Sequence, residues 1–271
     1  MLKNILKDFF LTNLQKEIKK SNSQIIILND WIGLKILTDK YYEKDEIEVL
    51  KKHFNDNIKN NTFVDVGANI GNHSLYFQKY FRRIISFEPQ KKIFKILKLN
   101  TEDFKNIKIF NYGLDSKSYF TEFSIPYSNS GMASELKKDL DSYIEKVEFK
   151  VFDNLHKDVV SYIKIDVEGN EEKVIMSMRK AITKNLPVIS FELNLDQDLR
   201  KKIIETFNSM GYDKFFVSEK YFFPRNVRFI KRFFGKPKKL KPISVSEMLS
   251  TNNNYSLVHT YSEKSNFKLN V

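Results

Sequence analysis

The segment TFVDVGANIGNHSLYF, residues 62–77, constrains the fold of this chain more than any other part of the sequence. An apolar run contains an aspartate, two glycines follow four residues apart, and apolar residues then recur at helical spacing. This order predicts a buried β-strand, a tight turn and a helix whose N-terminus faces the end of the strand. Such a unit is typical of the ligand-binding edge of an α/β domain.

The same alternation continues along the chain. Further strands are predicted at 84–88, 107–111, 161–166 and 187–193, and helices at 72–81, 91–103, 170–182 and 196–210. Strands that alternate with helices of this length form a mostly parallel sheet with helices on both faces. Residues 112–158 are polar and serine-rich, which indicates an insertion beside the sheet, and 255–261 predicts a closing strand. The chain thus belongs to the α/β class.

Several of the eight glycines fall at the predicted carboxyl ends of strands. Gly67 and Gly71 follow the first strand, Gly113 follows the third and Gly169 follows the fourth. Glycine allows backbone conformations and close approaches that side chains forbid. Because ligands bind at this edge of an open parallel sheet, the spacing predicts a binding cleft there.

The ligand is expected to contain adenosine. Glu88 ends the second strand about 20 residues after Gly67, where an acidic side chain binds ribose hydroxyls. A dinucleotide is one alternative, but the residues between Gly67 and Gly71 break the G-x-G-x-x-G fingerprint. Asp65, just before the first glycine, opposes a pyrophosphate and suits an ammonium. S-adenosylmethionine has a ribose and positive charge without phosphate, and it fits both observations. The other alternative is a plain turn followed by a solvated Glu88.

Four blocks of the sequence resemble the FkbM family of S-adenosylmethionine-dependent methyltransferases. They are FVDVGANIGNHSLYF, ISFEPQKKIFKILKLN, YIKIDVEGNEEKVI and PVISFELN, and they occur in this order within residues 40–215. The resemblance implies a class I, Rossmann-like methyltransferase fold. Its sheet is expected to have seven mostly parallel strands in the order 3-2-1-4-5-7-6, the last strand antiparallel. Characterised relatives mainly methylate hydroxyls of sugars, glycans or polyketide-type metabolites.

The resemblance and the predicted elements divide the chain into three parts. Residues 1–45 are expected to form an N-terminal helix and hairpin, and 46–215 the core that binds S-adenosylmethionine. Residues 216–271 are expected to contain a basic segment and the closing strand of the sheet.

The resemblance also implies which residues bind the cofactor. The loop around its methionine part comprises Asp65, Gly67, Ala68, Asn69 and Gly71. Glu88 holds the ribose, and Gly113 and Leu114 border the adenine. Asp166, at the end of the fourth strand, points at the cleft in which the methyl group lies.

Methyl transfer to a hydroxyl requires a general base, because a protonated hydroxyl is a poor nucleophile. The candidates at the carboxyl edge of the sheet are Asp166, Glu168, Glu192 and His73. Each also has a simpler reading: Asp166 orders its loop or holds the cofactor amine, and Glu168 complements a helix N-terminus. Glu192 interrupts an apolar strand, where an unpaired carboxylate is costly to bury, which favours a role in the site. His73 is a helper of the base or a surface histidine.

A polar stretch in the insertion predicts a lid. Ser130, Gly131 and Met132 correspond to a family segment that lies over the cofactor, and Asn194 is expected to face the substrate. The simpler alternative is an exposed loop. No metal is predicted, because His53, His73, His156 and His259 show no ligand spacing, and the absence of cysteine excludes thiolate chemistry.

Lysine and arginine outnumber aspartate and glutamate by 46 to 34, which gives a formal net charge of +12. Eight cations lie among aromatic residues in the segment 225–241. This segment predicts contact with the inner membrane surface, a lipid-linked glycan precursor, the diphosphate of a nucleotide-sugar, RNA, or solvent alone. The sequence shows no signal peptide and no long apolar run, so a cytoplasmic location is expected.

The predicted function is methyl transfer from S-adenosylmethionine to a hydroxyl of a sugar, in a surface glycan or its nucleotide- or lipid-linked precursor. An RNA methyltransferase is one alternative. It is disfavoured because the strand that ends at Asp166 lacks a Pro-Pro-aromatic motif. A non-catalytic protein that only binds the cofactor is the other.

Overall fold

The computed structural model describes residues 33, 36, 40–126, 142–193, 196–218, 239–250 and 257–271. Several predictions concern residues outside these ranges. They are the N-terminal helix at 1–22, nearly all of the hairpin that follows it, the lid residues Ser130, Gly131 and Met132, the substrate residue Asn194, and the basic segment from 225 to 238.

The described strands form two sheets, one of eight strands and one of three. In chain order the strands are β1 (Thr62–Val66), β2 (Arg83–Phe87), β3 (Ile107–Phe110), β4 (Gly113–Leu114), β5 (Tyr119–Pro126), β6 (Ser142–Lys150), β7 (Val160–Ile165), β8 (Val188–Phe191), β9 (Lys214–Ser218), β10 (Leu240–Ile243) and β11 (Val258–Tyr261).

The larger sheet has the order β10-β9-β11-β8-β7-β1-β2-β3. Strands β1, β2, β3, β7 and β8 pair in parallel, whereas β11 runs antiparallel to both β8 and β9. When β7, β8, β9 and β11 are counted as the fourth to seventh strands, the order from β3 to β9 is the predicted 3-2-1-4-5-7-6. The seventh strand, β11, is antiparallel, as predicted. The class I methyltransferase fold is therefore confirmed.

The predicted number of seven strands is wrong, because β10 adds an eighth strand at the edge of the sheet. It pairs antiparallel with β9, with Leu240 opposite Ser218 and Ile243 opposite Phe215. The sequence LKPI hides this strand, since Pro242 cannot donate to a ladder and argues against a central strand. At an edge the missing donor is tolerated.

The described helices cover both faces of the larger sheet. They are α1 (Lys44–His53), α2 (Asp56–Lys59), α3 (Asn72–Phe77), α4 (Lys91–Thr101), α5 (Phe152–Leu155), α6 (Glu171–Ser177), α7 (Arg179–Asn185), α8 (Gln197–Ser209) and α9 (Val245–Ser250). Among the described residues, no helix is both long and apolar enough to traverse a bilayer.

Alternation along the strands divides the core into two apolar layers. Phe63, Ile84 and Tyr162 pack with apolar residues of α1, α2 and α3, whereas Val64 and Ile163 belong to the layer beneath α6, α7 and α8. Successive strand residues point to opposite faces, so continuous apolar strands require helices on both sides. This arrangement leaves the carboxyl edge of the sheet for the site.

The predicted helix at 170–182 is divided at Met178 into α6 and α7. The carboxylate of Asp153, in α5, accepts hydrogen bonds from the backbone amides of Lys180 at 2.6 Å and Ala181 at 2.9 Å. A side chain distant in sequence thus caps the start of α7. Helical periodicity alone does not reveal that the predicted helix is divided at Met178.

The polar insertion forms the smaller sheet, with the order β4-β6-β5. Its strands β5 and β6 are antiparallel, and their inner face buries Phe123, Ile125, Val147 and Phe149. Strand β4 follows β3 almost directly, so the small sheet is attached beside the carboxyl edge of the large one.

Candidate active site

The turn after β1 joins the carboxyl ends of three strands. The amides of Gly67 and Ala68 both donate to the carbonyl of Phe87, at 3.1 and 3.0 Å. Gly67 has φ +74, and a Cβ at this position would lie 2.0 Å from the carbonyl oxygen of Asp166. The turn therefore requires glycine for its conformation and for its contact with the end of β7.

Glu88 fixes the second half of this turn. Its carboxylate accepts hydrogen bonds from the amides of Asn69 at 3.1 Å and Gln90 at 2.9 Å. Burial raises the pKa of Glu88 to about 7, although these two hydrogen bonds favour the ionised form. Because each carboxylate oxygen has a further lone pair, Glu88 can still accept from a ligand.

A cleft opens over this turn at the carboxyl edge of the sheet. The turn, the end of β2, β4, the end of β7, β5 and β6 all contribute to its lining, which includes Gly67, Ala68, Asn69, Glu88, Gly113, Leu114, Asp166, Glu168 and His73. These are predicted site residues, and the fold brings them together in one place. Their individual roles stay predictions.

Two predicted cofactor residues lie behind the lining. Gly71 begins α3 and packs against Leu97 of α4, since a Cβ there would lie 2.9 Å from that side chain. Asp65 is fully buried and accepts a hydrogen bond from Ser74 Oγ at 2.6 Å. Burial raises the pKa of Asp65, while Lys164 and Ser74 oppose that rise. In this structure both residues support the turn from below.

Lys164 connects the turn to the end of β7. Its Nζ donates to the carbonyl of Gly67 at 3.2 Å and lies 3.1 Å from Asp166 Oδ2 and 3.9 Å from Asp65 Oδ1. Burial opposes the charge, but Asp166 and Asp65 outweigh it and raise the pKa of Lys164 above its ordinary value. This buried ammonium also lines the cleft.

Three carboxylates form a cluster at the edge of the cleft. Asp166, Glu168 and Glu192 each have an oxygen within 4.8 Å of the others. Glu168 is exposed, but the partial loss of hydration of its carboxylate, and next the charge of Asp166, raise its pKa to about 7. Burial, and next the charge of Asp166, raise the pKa of Glu192 to about 8. Such a cluster can accept a proton near neutral pH. Its oxygens are also of the type that binds Mg²⁺ or Ca²⁺, so the predicted absence of a metal stays a prediction.

His73 lies on the first turn of α3, faces the cleft and is buried. Its Nε2 is 3.8 Å from Glu43 Oε2 and has no hydrogen-bond partner among the described residues. Burial, assisted by the charge of Lys164, lowers the pKa of His73 well below its ordinary value. The side chain is therefore a neutral imidazole, and the reading as a surface histidine is wrong.

Tyr42 is a cleft residue that the sequence does not indicate. Its backbone amide donates to Asn72 Oδ1 at 2.8 Å, and Asn72 Nδ2 donates back to its carbonyl at 3.0 Å. This reciprocal pair brings the residues before α1 over the cleft. The predicted boundary between extension and core, after residue 45, thus lies next to residues that complete the site.

Other lining residues also lie outside the predicted set, among them Phe123, Phe149 and Lys164. Phe123 and Phe149 reach the cleft from the small sheet, so the insertion forms one of its walls. Lys164 did leave a signal, because it places a charge within β7, most of whose residues are apolar. A charge in such a strand is as costly to bury unpaired at Lys164 as at Glu192, and it points to the site for the same reason. For Tyr42, whose partner is 30 residues away, there is no local signal.

Comparison with known proteins gives one family match. The family model described as "Methyltransferase FkbM domain" matches residues 65–214, which is more than half of the chain. No curated protein matches the chain in sequence.

Several solved structures are similar to the chain at low sequence identity. Methyltransferase FkbM from Methylobacillus flagellatus KT has a TM-score of 0.41 and 13% identity, over 93% of this chain and 58% of that one. Precorrin-6y C5,15-methyltransferase from Geobacter metallireducens GS-15 has a TM-score of 0.42 and 12% identity, over 88% of this chain and 98% of that one. A Streptococcus mutans protein in complex with SAH has a TM-score of 0.43 and 8% identity, over 81% of this chain and 97% of that one. This chain thus spans little more than half the length of the first protein, and at these scores the likenesses carry no functional argument.

Proposed function

The chain belongs to the FkbM methyltransferase family, and on that premise we propose that it transfers a methyl group from S-adenosylmethionine to a hydroxyl. We propose further that the hydroxyl belongs to a sugar, in a surface glycan or in its nucleotide- or lipid-linked precursor. The observation that carries the choice of a hydroxyl is the carboxylate cluster of Asp166, Glu168 and Glu192.

The residues of the cleft fit S-adenosylmethionine. Glu88 is suited to accept hydrogen bonds from ribose hydroxyls, and the turn lacks the glycine spacing that accommodates a pyrophosphate. Carboxylates at the end of β7 suit a cationic ligand. When bound, this cofactor supplies an electrophilic methyl group on a positively charged sulfur.

The cluster can supply the base that a hydroxyl acceptor needs. A carboxyl group whose pKa lies near neutral pH is ionised often enough to take a proton and is a stronger base than an ordinary carboxylate. Glu168, with a pKa of about 7, and Glu192, with a pKa of about 8, both meet this condition. Asp166 lies 3.1 Å from the ammonium of Lys164, and His73 lines the same cleft with its pKa lowered by burial.

The acidic cluster also bears on the acceptor. Neutral hydroxyls donate hydrogen bonds to carboxylates, whereas a phosphate close to three acidic groups is repelled. We therefore propose that the sugar of the acceptor binds next to the carboxylate cluster. Any diphosphate or lipid anion is assigned to the basic segment 225–241, which is also the candidate for contact with the inner membrane.

The cofactor is tested first. Calorimetric titration with S-adenosylhomocysteine should show binding, and titration with NAD should show none. Binding of neither ligand would contradict the proposal.

The acceptor is then tested with methyl-labelled cofactor and a panel of sugars, nucleotide-sugars, lipid-linked sugars and RNA. We expect label in a sugar-containing acceptor at a rate that rises with pH through about 7–8, because the base must be ionised. Because either group can supply the base, the combined change of Glu168→Gln and Glu192→Gln should abolish that rise, and Glu205→Gln, an exposed residue on α8, is the control. Label in RNA alone would favour the RNA alternative. Cofactor binding without transfer to any acceptor would favour the non-catalytic one.

A further inference from the structure

Lys164 is the one cation among the described residues that line the cleft. It lies on β7 between Asp65 and Asp166, and only 3% of it is exposed. Its distances to both carboxylates and to the carbonyl of Gly67 place it directly beneath the glycine turn. A buried ammonium in this position is costly unless its neighbours compensate for the lost hydration.

These three side chains are unequal in charge. Asp65 and Asp166 have a formal charge of −1 each and Lys164 has +1, so the group carries −1. S-adenosylmethionine has a sulfonium, which S-adenosylhomocysteine lacks, so the two ligands differ by one methyl group and one unit of positive charge. The net charge of Asp65, Asp166 and Lys164 therefore affects how much more tightly the cleft binds S-adenosylmethionine than S-adenosylhomocysteine.

We propose that Lys164 sets the preference of this cleft between the cationic cofactor and its neutral product. The inference rests on the proposed function, because it requires this cofactor. Without Lys164 the charges of Asp166, which lines the cleft, and of Asp65, which is buried directly behind the lining, would be uncompensated and would stabilise a bound sulfonium strongly. Methyl transfer reduces that charge, so excess negative charge would stabilise the bound cofactor more than the transition state. Lys164 limits this effect while it holds the turn to β7.

The test is the ratio of the dissociation constants of S-adenosylhomocysteine and S-adenosylmethionine, measured by calorimetry. In Lys164→Met we expect this ratio to rise by about tenfold, the effect of one unit charge across several ångströms of a partly solvated cleft. A purely structural role would weaken both ligands by the same factor. An unchanged ratio would therefore overturn the proposal. Lys108→Met makes the same change at an exposed position of β3 and should leave the ratio unchanged.

A double variant covers the case in which Lys164→Met does not fold. Asp65→Asn combined with Lys164→Met removes the pair together, which is better tolerated than removal of one partner, and restores the formal charge to −1. We expect its ratio to equal that of the wild type within about twofold, and a clear departure would overturn the proposal. A wild-type protein that binds neither ligand would instead contradict the proposed function.

Discussion

At the scale of single residues, the site depends on side chains that hold the backbone as well as face the cleft. Glu88 holds the amides of Asn69 and Gln90, and Lys164 holds the carbonyl of Gly67. A substitution at such a position changes the shape of the turn and its charge together. Conservative variants are needed to separate the two effects.

Glu88→Ala should weaken binding of S-adenosylhomocysteine by about 1.5–3 kcal/mol, because it removes a charged acceptor of ribose hydrogen bonds. Calorimetric titration measures this change. In the wild type the affinity should fall as the pH drops below about 7, since a protonated Glu88 is a poorer acceptor. Glu88→Gln keeps the shape and should lose this pH dependence. Unchanged affinity in Glu88→Ala would contradict the ribose assignment.

Gly67→Ala should destabilise the protein far more than Gly211→Ala. Both glycines have positive φ, +74 and +83, so both alanines incur about 1–2 kcal/mol of backbone strain. Only at Gly67 does the added Cβ also collide with a backbone oxygen, whereas the nearest atom at Gly211 is 3.9 Å away. We expect a total of about 3–5 kcal/mol for Gly67→Ala in urea unfolding. Equal losses in the two variants would show that the turn can shift.

At the scale of elements, the cleft is assembled from segments that are distant in sequence. The residues before α1 are held by Asn72, and one wall comes from β5 and β6. Each of these connections is a small number of hydrogen bonds or ring contacts. Such segments open at a lower free energy than the central strands.

Asn72→Ala should release the residues before α1 from the cleft. It removes both hydrogen bonds to Tyr42, which we expect to lower the local opening free energy by about 1–3 kcal/mol. Hydrogen exchange should therefore accelerate in residues 40–54 and stay slow in β1 and β7. Asn106→Ala is the control, because the Asn106 side chain likewise makes two hydrogen bonds to the backbone, in its case by donating to the carbonyls of Gln78 and Phe81. No acceleration at 40–54 would mean that other contacts, such as Tyr41 against Tyr76, suffice to hold the segment.

At the scale of the whole molecule, the centre of the larger sheet contains a buried titratable group outside the site. His259 on β11 shares a hydrogen bond of 2.7 Å with Ser190 on β8, and Tyr162 on β7 donates to the same serine. Burial lowers the pKa of His259 to about 3. The network links three neighbouring strands, and burial keeps its imidazole in the neutral form near neutral pH.

This burial makes stability depend on pH. The unfolded chain takes up a proton on His259 below about pH 6.5, while the folded protein does not until about pH 3, so stability is lost as the pH falls through that window. Between pH 7.5 and pH 5 the wild type should lose about 2 kcal/mol more than His259→Gln in urea unfolding. The difference between variants carries the test, because the raised carboxyl pKa values of Glu88, Glu168 and Glu192 act in the opposite direction. Identical pH profiles for wild type and His259→Gln would refute the assignment.

Local sequence predicted the parts of the fold and site that depend on local pattern. Alternating strands and helices placed Glu88, Asp166 and Glu168 at one edge of a sheet, and the family resemblance supplied the strand order. What could not be predicted depends on long-range contacts. Tyr42 reaches the cleft through Asn72, and the break before α7 depends on Asp153. Strand β10 was missed because proline conceals it.

The edge strand β10 has a consequence for how the molecule behaves in a crowded solution. Every open sheet ends in unpaired backbone groups that invite another chain to add a strand, which is a route to aggregation. Among the described strands, that edge is a strand of four residues in which Pro242 lacks a donor and Lys241 adds a charge. Natural sheets discourage intermolecular pairing with these same devices, so β10 closes the fold on this side against self-association as well as extending it.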